Sequence, residues 1–206
     1  MRFFRQLLAV LALLCATSVQ AEVVAGKDYK VLNPPQPISG KKVQVQEFFF
    51  YGCSHCFHLH PLLSEWEKKL PKDVELQYMP TVFNEGWEPM AHTYYALEAM
   101  GQVRKLHDAL FEAWNVQNID LSDEAKITEF VAKHGVDRSK FAADYNSFSV
   151  SSKIARSNQL VQAYNIRGTP TIIVDGKYSI TGLQPAETIR VLDEVIQIAR
   201  KERSKR

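Results

Sequence analysis

Two cysteines, Cys53 and Cys56, stand two residues apart where the pattern of the chain changes. The preceding residues 43–51 are rich in valine and aromatic side chains, which is typical of a buried strand, whereas residues 57–70 have helical spacing. The first turn of a helix presents unpaired N–H groups and the positive end of the helix dipole, so it stabilises a thiolate at Cys53. Cys56 lies one turn later, within reach of a short disulfide. The junction therefore predicts reversible thiol–disulfide chemistry.

A cysteine pair of this spacing is also compatible with a metal site or with a purely structural disulfide. His55, His58 and His60 could supply further ligands, which makes a metal-binding chaperone the alternative from a different class. Helical spacing distributes these histidines around the helix axis instead of gathering them on one side. We therefore expect no metal site, and we interpret His58 and His60 as surface or packing residues.

Residues 1–21 have the three parts of a secretory signal. Arg2 and Arg5 form a basic start, residues 7–16 form an apolar centre, and a small-residue cleavage site ends at Ala21. The apolar stretch is shorter than the ~18 residues expected of a membrane-spanning helix. We expect cleavage after Ala21 and export of the remaining chain.

Cleavage would change both the cysteine content and the charge of the chain. Cys15 would leave with the signal, so Cys53 and Cys56 would be the only cysteines, too few for a disulfide scaffold. The formal net charge of +2 would fall to 0 with the loss of Arg2 and Arg5, which argues against nucleic-acid binding by net electrostatics. The remaining length of about 185 residues fits one domain, or one domain with an insertion.

The first half of the chain predicts a β-α-β unit followed by helices. Residues 43–51 are apolar on both faces, as expected of a central strand covered by helices, and residues 74–79 form a second strand after the helix. Five helical patterns then occupy residues 84–164, the third of them with Ser122 as its predicted N-cap.

The second half returns to strands. Residues 171–174 and 178–181 flank Asp175-Gly176, the sequence signal of a tight hairpin, and an amphipathic helix ends the chain. A parallel strand pair and an antiparallel hairpin can share one mixed sheet. We predict an α/β fold, with one domain formed by residues 22–83 and 165–206 and an all-helical insertion at residues 84–164 that covers one edge of the sheet.

Four segments resemble the DsbA family of periplasmic disulfide-forming proteins, which have a thioredoxin-like fold. They are Glu47-Phe48-Phe49, Cys53-Ser54-His55-Cys56, Arg167-Gly168-Thr169-Pro170-Thr171 and Asp175-Gly176-Lys177-Tyr178. The resemblance covers essentially the whole chain after the signal, and the combination is far more specific than a lone CxxC. The chain departs from the family at Ser54, where proline is common, and at Gln77-Tyr78-Met79, which lacks a lysine that some relatives carry near the buried acid.

The resemblance implies an enzyme that donates the Cys53–Cys56 disulfide to exported proteins, through a mixed disulfide at Cys53. It implies a periplasmic location, substrate proteins with free thiols, a membrane-bound reoxidant of the DsbB type and no cofactor. We expect a monomer that has no nucleic-acid partner. A disulfide isomerase or reductase of the same fold is the alternative, and it is disfavoured because we see no dimerisation domain ahead of the CxxC.

Two residues near the cysteines are expected to assist them. His55, if protonated, would place a positive charge near the Cys53 thiolate. Glu47 has the same strand parity as Val45 and Phe49, which is unusual for a carboxylate, and burial there would raise its pKa. The resemblance implies that Glu47 exchanges protons with the buried cysteine, whereas the alternative is an acid that escapes to the sheet edge.

Thr169 and Pro170 precede the third predicted strand. The resemblance implies that their peptide bond is cis and lies opposite the CxxC. It also implies that the backbone of Thr169 pairs with a bound peptide there. Without the resemblance, Pro170 would be interpreted as a proline that starts a strand.

Overall fold

The computed structural model describes residues 22–205 of the 206-residue chain. The predicted signal, with Cys15 and the cleavage site at Ala21, lies outside these residues. Within them, no helix is both long enough and apolar enough to cross a membrane.

Five strands form one mixed sheet in the order β1-β5-β4-β2-β3, which confirms the predicted fold class. Strands β2 and β3 are parallel, whereas β4 pairs antiparallel with both β2 and β5, and β1 pairs antiparallel with β5. The strands are β1 (Lys30–Val31), β2 (Val43–Phe49), β3 (Val74–Pro80), β4 (Thr171–Val174) and β5 (Tyr178–Thr181). The predicted first strand ends two residues early, because the Phe50 carbonyl already accepts from the Cys53 N–H (3.0 Å) in a turn.

Seven α-helices lie within the described residues, and five of them stand between β3 and β4, as the helical patterns predicted. A short 3₁₀ turn at Glu85–Trp87 precedes those five. The helices are α1 (Ser54–Glu67), α2 (Glu88–Ala99), α3 (Val103–Asn115), α4 (Glu124–Lys133), α5 (Arg138–Tyr145), α6 (Phe148–Ala163) and α7 (Pro185–Arg203).

The predicted N-cap of α4 was wrong by one residue. Asp123, not Ser122, has the extended cap conformation, and its carboxylate accepts from the Lys126 N–H at 3.0 Å. The Ser122 N–H instead donates to the side chain of Asp120. Both residue types are good N-caps, so the sequence pattern alone did not separate them.

Helices cover both faces of the sheet. Val43 and Val45 of β2 pack against Leu59 and Leu63 of α1 in a core that α7 completes on the same face. Phe48 points to the opposite face, where it joins residues of α6. The alternation follows from the two-residue period of a strand, and it buries β2 on both sides.

A second core joins the helices between β3 and β4 to the start of α1. Phe49, Tyr51 and Cys56 belong to this core together with buried residues of α2 to α5. Both α2 and α6 contact β3, the edge strand. The first turn of α1 therefore lies where the sheet meets the helices. The exact division into a sheet domain and an insertion stays a prediction.

The hairpin between β4 and β5 forms at the predicted residues. Asp175 and Gly176 have φ values of 55° and 65°, which the type I′ turn requires. The Arg203 guanidinium near the end of α7 binds the Asp175 carboxylate at 2.6 Å, so this ion pair connects the last helix to the turn.

Candidate active site

Cys53 is the N-cap of α1, with extended backbone angles (φ −87°, ψ 115°). The backbone N–H groups of the first turn have no partners within the helix, and those of His55 and Cys56 lie close enough to the Cys53 sulfur to stabilise its anion. Several donors lower the pKa of this half-buried thiol to about 5. The Cys56 thiol contributes most, and the Thr169 side chain and the backbone N–H groups of Cys56 and His55 add to it against the effect of burial. A thiol in this environment is a thiolate at neutral pH.

Cys56 has the opposite environment. It is fully buried, and burial raises its pKa, with further contributions from the hydrogen bond to Cys53 and from the charge of Glu47. Both cysteines are free thiols in the structure. The pair therefore combines one half-buried, ionised sulfur with one fully buried, protonated sulfur.

The loop before β4 lies against the cysteines. The Thr169–Pro170 bond is cis, as expected, and the Thr169 carbonyl lies 3.3 Å from the Cys53 sulfur. The fold thus brings together two segments that stand 116 residues apart in the sequence.

Glu47 lies on the central strand β2, between β4 and β3, so the alternative of an acid at the sheet edge is wrong. The residue is 1% exposed, and its Oε1 has no hydrogen-bond partner among the residues that the structure describes. Burial raises the pKa of this carboxyl to about 8, and the negative charge of Cys53 adds to the shift. Glu47 is therefore mostly protonated at neutral pH and is available as an acid.

A groove of about 420 Å³ runs beside the cysteines. His55 and His58 border it from α1, and Thr169 and Pro170 border it from the loop before β4. The imidazole of His55 is exposed there. Leu59, Ile172, Ile180 and Leu183 add apolar side chains to the lining, and Thr181, Gln184 and Thr188 add polar ones.

A polar cluster that the sequence did not predict joins α1 to α3. We interpreted His60 as a surface or packing residue, but it is buried, and its Nε2 lies 2.5 Å from Oδ1 of Asp108. His107 of α3 is buried beside it, with ring centroids 4.5 Å apart. The available signal was His107 itself, a polar residue between Leu106 and Leu110 on the apolar face of its helix. Between residues 22 and 205, no group of three or more ligating side chains could hold a metal ion.

Comparison with known proteins agrees with this geometry. Residues 80–192 match the family described as the DSBA-like thioredoxin domain. The thiol:disulfide interchange protein DsbA of Pseudomonas aeruginosa is 34% identical over 195 residues, which cover 93% of this chain and 92% of that protein. The chain belongs to the DsbA family. The DsbA protein of Bordetella parapertussis is 37% identical over 207 residues and covers 96% of this chain and 98% of its own length.

Solved structures of the DsbA family have the same fold. The crystal structure of Pseudomonas aeruginosa DsbA superposes with a TM-score of 0.84 at 34% identity, over 89% of this chain and 97% of that one. The oxidoreductase NmDsbA1 of Neisseria meningitidis gives a TM-score of 0.81 at 28% identity, over 90% of this chain and 98% of that one. The protein is thus a thiol:disulfide oxidoreductase with a thioredoxin-like fold, as the resemblance predicted.

Proposed function

We propose that this DsbA-family enzyme is a dithiol oxidant, which donates the Cys53–Cys56 disulfide to exported proteins as they fold in the bacterial periplasm. The observation that carries the proposal is the opposite environment of the two sulfurs. The low pKa of Cys53 stabilises the reduced pair as a thiolate, and a more stable reduced form makes the disulfide a stronger oxidant.

The size of this stabilisation follows from the pKa of Cys53. The lowered pKa of Cys53 stabilises the reduced form of the pair in full above the ordinary pKa of the thiol. This stabilisation is lost as the pH falls through about 5. At pH 7 it reaches about 3 kcal/mol at most, since one pKa unit corresponds to about 1.36 kcal/mol. Solvent reaches Cys53 and screens the charge, which reduces the figure. The upper limit corresponds to about 60 mV of redox potential.

The reaction follows from the two environments. A substrate thiolate attacks the Cys53 sulfur, the Cys53–Cys56 bond breaks, and Cys56 leaves as a thiolate that takes a proton from Glu47. A second substrate thiolate then attacks the substrate sulfur of the mixed disulfide and releases Cys53 as a thiolate. Two substrate thiols are thereby oxidised to a disulfide, while the enzyme disulfide is reduced to a thiolate and a thiol.

The groove beside the cysteines suits an extended peptide. The Thr169 backbone stands next to Cys53, so we assign it to pairing with the substrate main chain, and we assign His55 and the cis Pro170 to the wall that positions the peptide. A membrane-bound reoxidant of the DsbB type would approach Cys53 from the same side. We further propose that residues 1–21 direct export, that residues 84–164 form the inserted unit, and that the enzyme acts as a monomer.

Trapping of the mixed disulfide tests which sulfur is attacked. The Cys56→Ser variant, activated as a disulfide at Cys53, should capture a peptide that carries a single cysteine as a stable adduct visible by mass spectrometry, because no second substrate thiol is present to resolve it. The matched Cys53→Ser variant, activated at the buried Cys56, should capture little. Equal trapping by the two variants would contradict the assignment of Cys53 as the attacked sulfur.

A competition assay separates an oxidant from a reductase. The wild-type disulfide should oxidise a reduced two-cysteine peptide nearly to completion at an equimolar ratio. If the reduced enzyme instead reduces the oxidised peptide under the same conditions, the reductase alternative is correct.

A further inference from the structure

His58 lies in the wall of the groove beside the cysteines, which we assign to the substrate peptide. It follows His55 by three residues on α1, so the two imidazoles are neighbours on the helix surface. Both residues are exposed, and neither side chain has a hydrogen bond or an ion pair with another residue in the described part of the chain. Both rings are therefore available to a bound peptide.

The two histidines are the only ionisable side chains among the described residues that line this groove. The other polar side chains of the lining are neutral hydroxyls and an amide, and the rest of the lining is apolar. Histidine is the side chain that gains a positive charge between pH 5 and 8. Since the lining has no carboxylate to neutralise that charge, the groove favours a peptide that supplies one.

The spacing along α1 indicates which substrate residue reaches His58. His58 is five positions after Cys53, which corresponds to about 7.5 Å along a helix axis. An extended peptide advances about 3.3 Å per residue, so two residues span about 6.6 Å, and residues two apart point to the same side. In a peptide that follows the groove along α1, the side chain two positions from the attacked cysteine therefore faces the enzyme at the level of His58.

We propose that His58, with His55 beside it, is a specificity-determining residue that selects substrates with an aspartate or glutamate two positions from the attacked cysteine. The inference rests on the proposed function and deepens it by naming a substrate class. The attraction is strongest in the oxidised enzyme, because the reduced enzyme carries the Cys53 thiolate, a negative charge close to the same imidazoles. The acidic segment is thus held before the disulfide is transferred and is released more readily afterwards.

The charged groups around the groove form a background that is constant between pH 5.5 and 8. Cys53 carries no charge while it is part of a disulfide. Arg167, in the loop before β4, is exposed and always positive, and it borders a different groove. A hydrogen bond from Arg190 lowers the pKa of Glu187 in the first turn of α7, so Glu187 stays ionised. The pH-dependent part of the attraction therefore belongs to the histidines.

The test compares how fast single-cysteine peptides are captured by the Cys56→Ser variant that carries an activated disulfide at Cys53. One peptide has aspartate two positions from its cysteine and its partner has asparagine, and each pair is made with that residue before or after the cysteine. Each rate is divided by the rate of the same peptide with a small uncharged disulfide, which corrects for differences in thiol reactivity.

At one of the two positions, we expect the aspartate peptide to be captured about threefold faster than the asparagine peptide at pH 5.5, as for an exposed ion pair. The two rates should be equal at pH 8, where neutral imidazoles do not attract a carboxylate. A peptide with lysine at the same position should be captured more slowly than the asparagine peptide at pH 5.5.

Variants at position 58, made in the same Cys56→Ser background, assign the preference to this side chain. His58→Gln removes the ionisable group and should reduce the threefold preference at pH 5.5 to less than about 1.5-fold. His58→Lys has a fixed positive charge and should retain the preference at pH 8. His134→Gln, at an exposed histidine at the end of α4 outside the groove, should behave like the parent.

Equal capture of the aspartate and asparagine peptides at pH 5.5 would overturn the inference, as would a His58→Lys variant without preference at pH 8. A preference that survives in His58→Gln but is lost in Arg167→Gln would also overturn it. In each of these cases the captured asparagine peptide shows that Cys53 is attacked, so the proposed function stands. If neither peptide is captured, the proposed role of Cys53 fails and the inference fails with it.

Discussion

Glu47 and Cys53 have shifted pKa values of opposite sign, although their charges act on each other. Cys53 stands at a helix start where donors converge on the sulfur, so its anion is stabilised. Glu47 is buried without a partner for Oε1, so its neutral form is favoured. At the scale of single residues, the local supply of hydrogen-bond donors thus decides which group holds the negative charge.

The ionisation of Cys53 is directly measurable. The reduced enzyme should show a thiolate absorbance near 240 nm that is lost on acidification, with a midpoint near pH 5. Cys53→Ser should lack this transition, because the pKa of the remaining Cys56 is raised. A midpoint near the ordinary thiol pKa of about 8.5 would contradict the assigned environment.

Glu47 should also affect stability in a pH-dependent way. Its folded pKa of about 8 is above the ordinary 4.5, so between these values the native protein binds a proton that the unfolded chain releases. Stability therefore falls as the pH rises from about 4.5 to 8, by about 5 kcal/mol at the limit. Urea unfolding of reduced Glu47→Gln should show a weaker decline over this range than wild type. A parallel decline in the two proteins would contradict the burial of an ionisable Glu47.

At the scale of elements, the N-cap of α4 allows a sharp comparison. Asp123→Ala should lower the free energy of unfolding by about 1 kcal/mol, since it removes the side-chain acceptor for the Lys126 N–H. Ser122→Ala, at the position that the sequence pattern favoured, should change it by only a few tenths of a kcal/mol. Urea denaturation of both variants measures the difference, and a larger effect of Ser122→Ala would contradict the observed cap.

The elements with strong local signals were predictable from the sequence. Strands β4 and β5 have the predicted residues because Asp175-Gly176 favours one turn type whatever the rest of the fold does. The two-residue strand β1 has no comparable local signal, because its strand identity depends on pairing with β5. The cis Asn33–Pro34 bond likewise had no local signal.

The residues of the candidate site likewise fall into those with a local sequence signal and those that only tertiary packing brings together. The positions of Cys53 and Cys56 at the helix start follow from local sequence, and the resemblance supplied Glu47 and Pro170. The cluster of His60, His107 and Asp108 joins α1 to α3 across the core, and no local pattern pairs residues on different helices. Tertiary packing alone decides such contacts.

At the scale of the whole molecule, the loop from β2 to α1 is held between the sheet and the helices. Phe50 stacks on Trp87 with ring centroids 3.9 Å apart, and Trp114 packs edge-on against Phe50. Gly52 lies under these rings, and a Cβ there would come within 2.5 Å of Phe50 and 2.7 Å of Trp114. Trp87 and Trp114, both from the segment between β3 and β4, therefore fix the backbone that presents Cys53.

This contact predicts a cost for filling the space at Gly52. Gly52→Ala should lower the free energy of unfolding by about 1–3 kcal/mol, because Phe50 is restrained by its stacking and must shift. Gly168→Ala is the matched control, since no heavy atom outside its chain neighbours lies within 4 Å of its Cβ position, and its effect should stay within about 0.5 kcal/mol. Thermal or urea unfolding distinguishes the two. Equal effects would contradict the close packing of the helices on the active-site loop.

The central claim, that the Cys53–Cys56 pair is an oxidant of other proteins, is tested most directly by its redox equilibrium with glutathione at pH 7. We predict a potential well above the value of about −270 mV for thioredoxin, because the Cys53 thiolate stabilises the reduced form. A potential at or below about −270 mV would contradict the account.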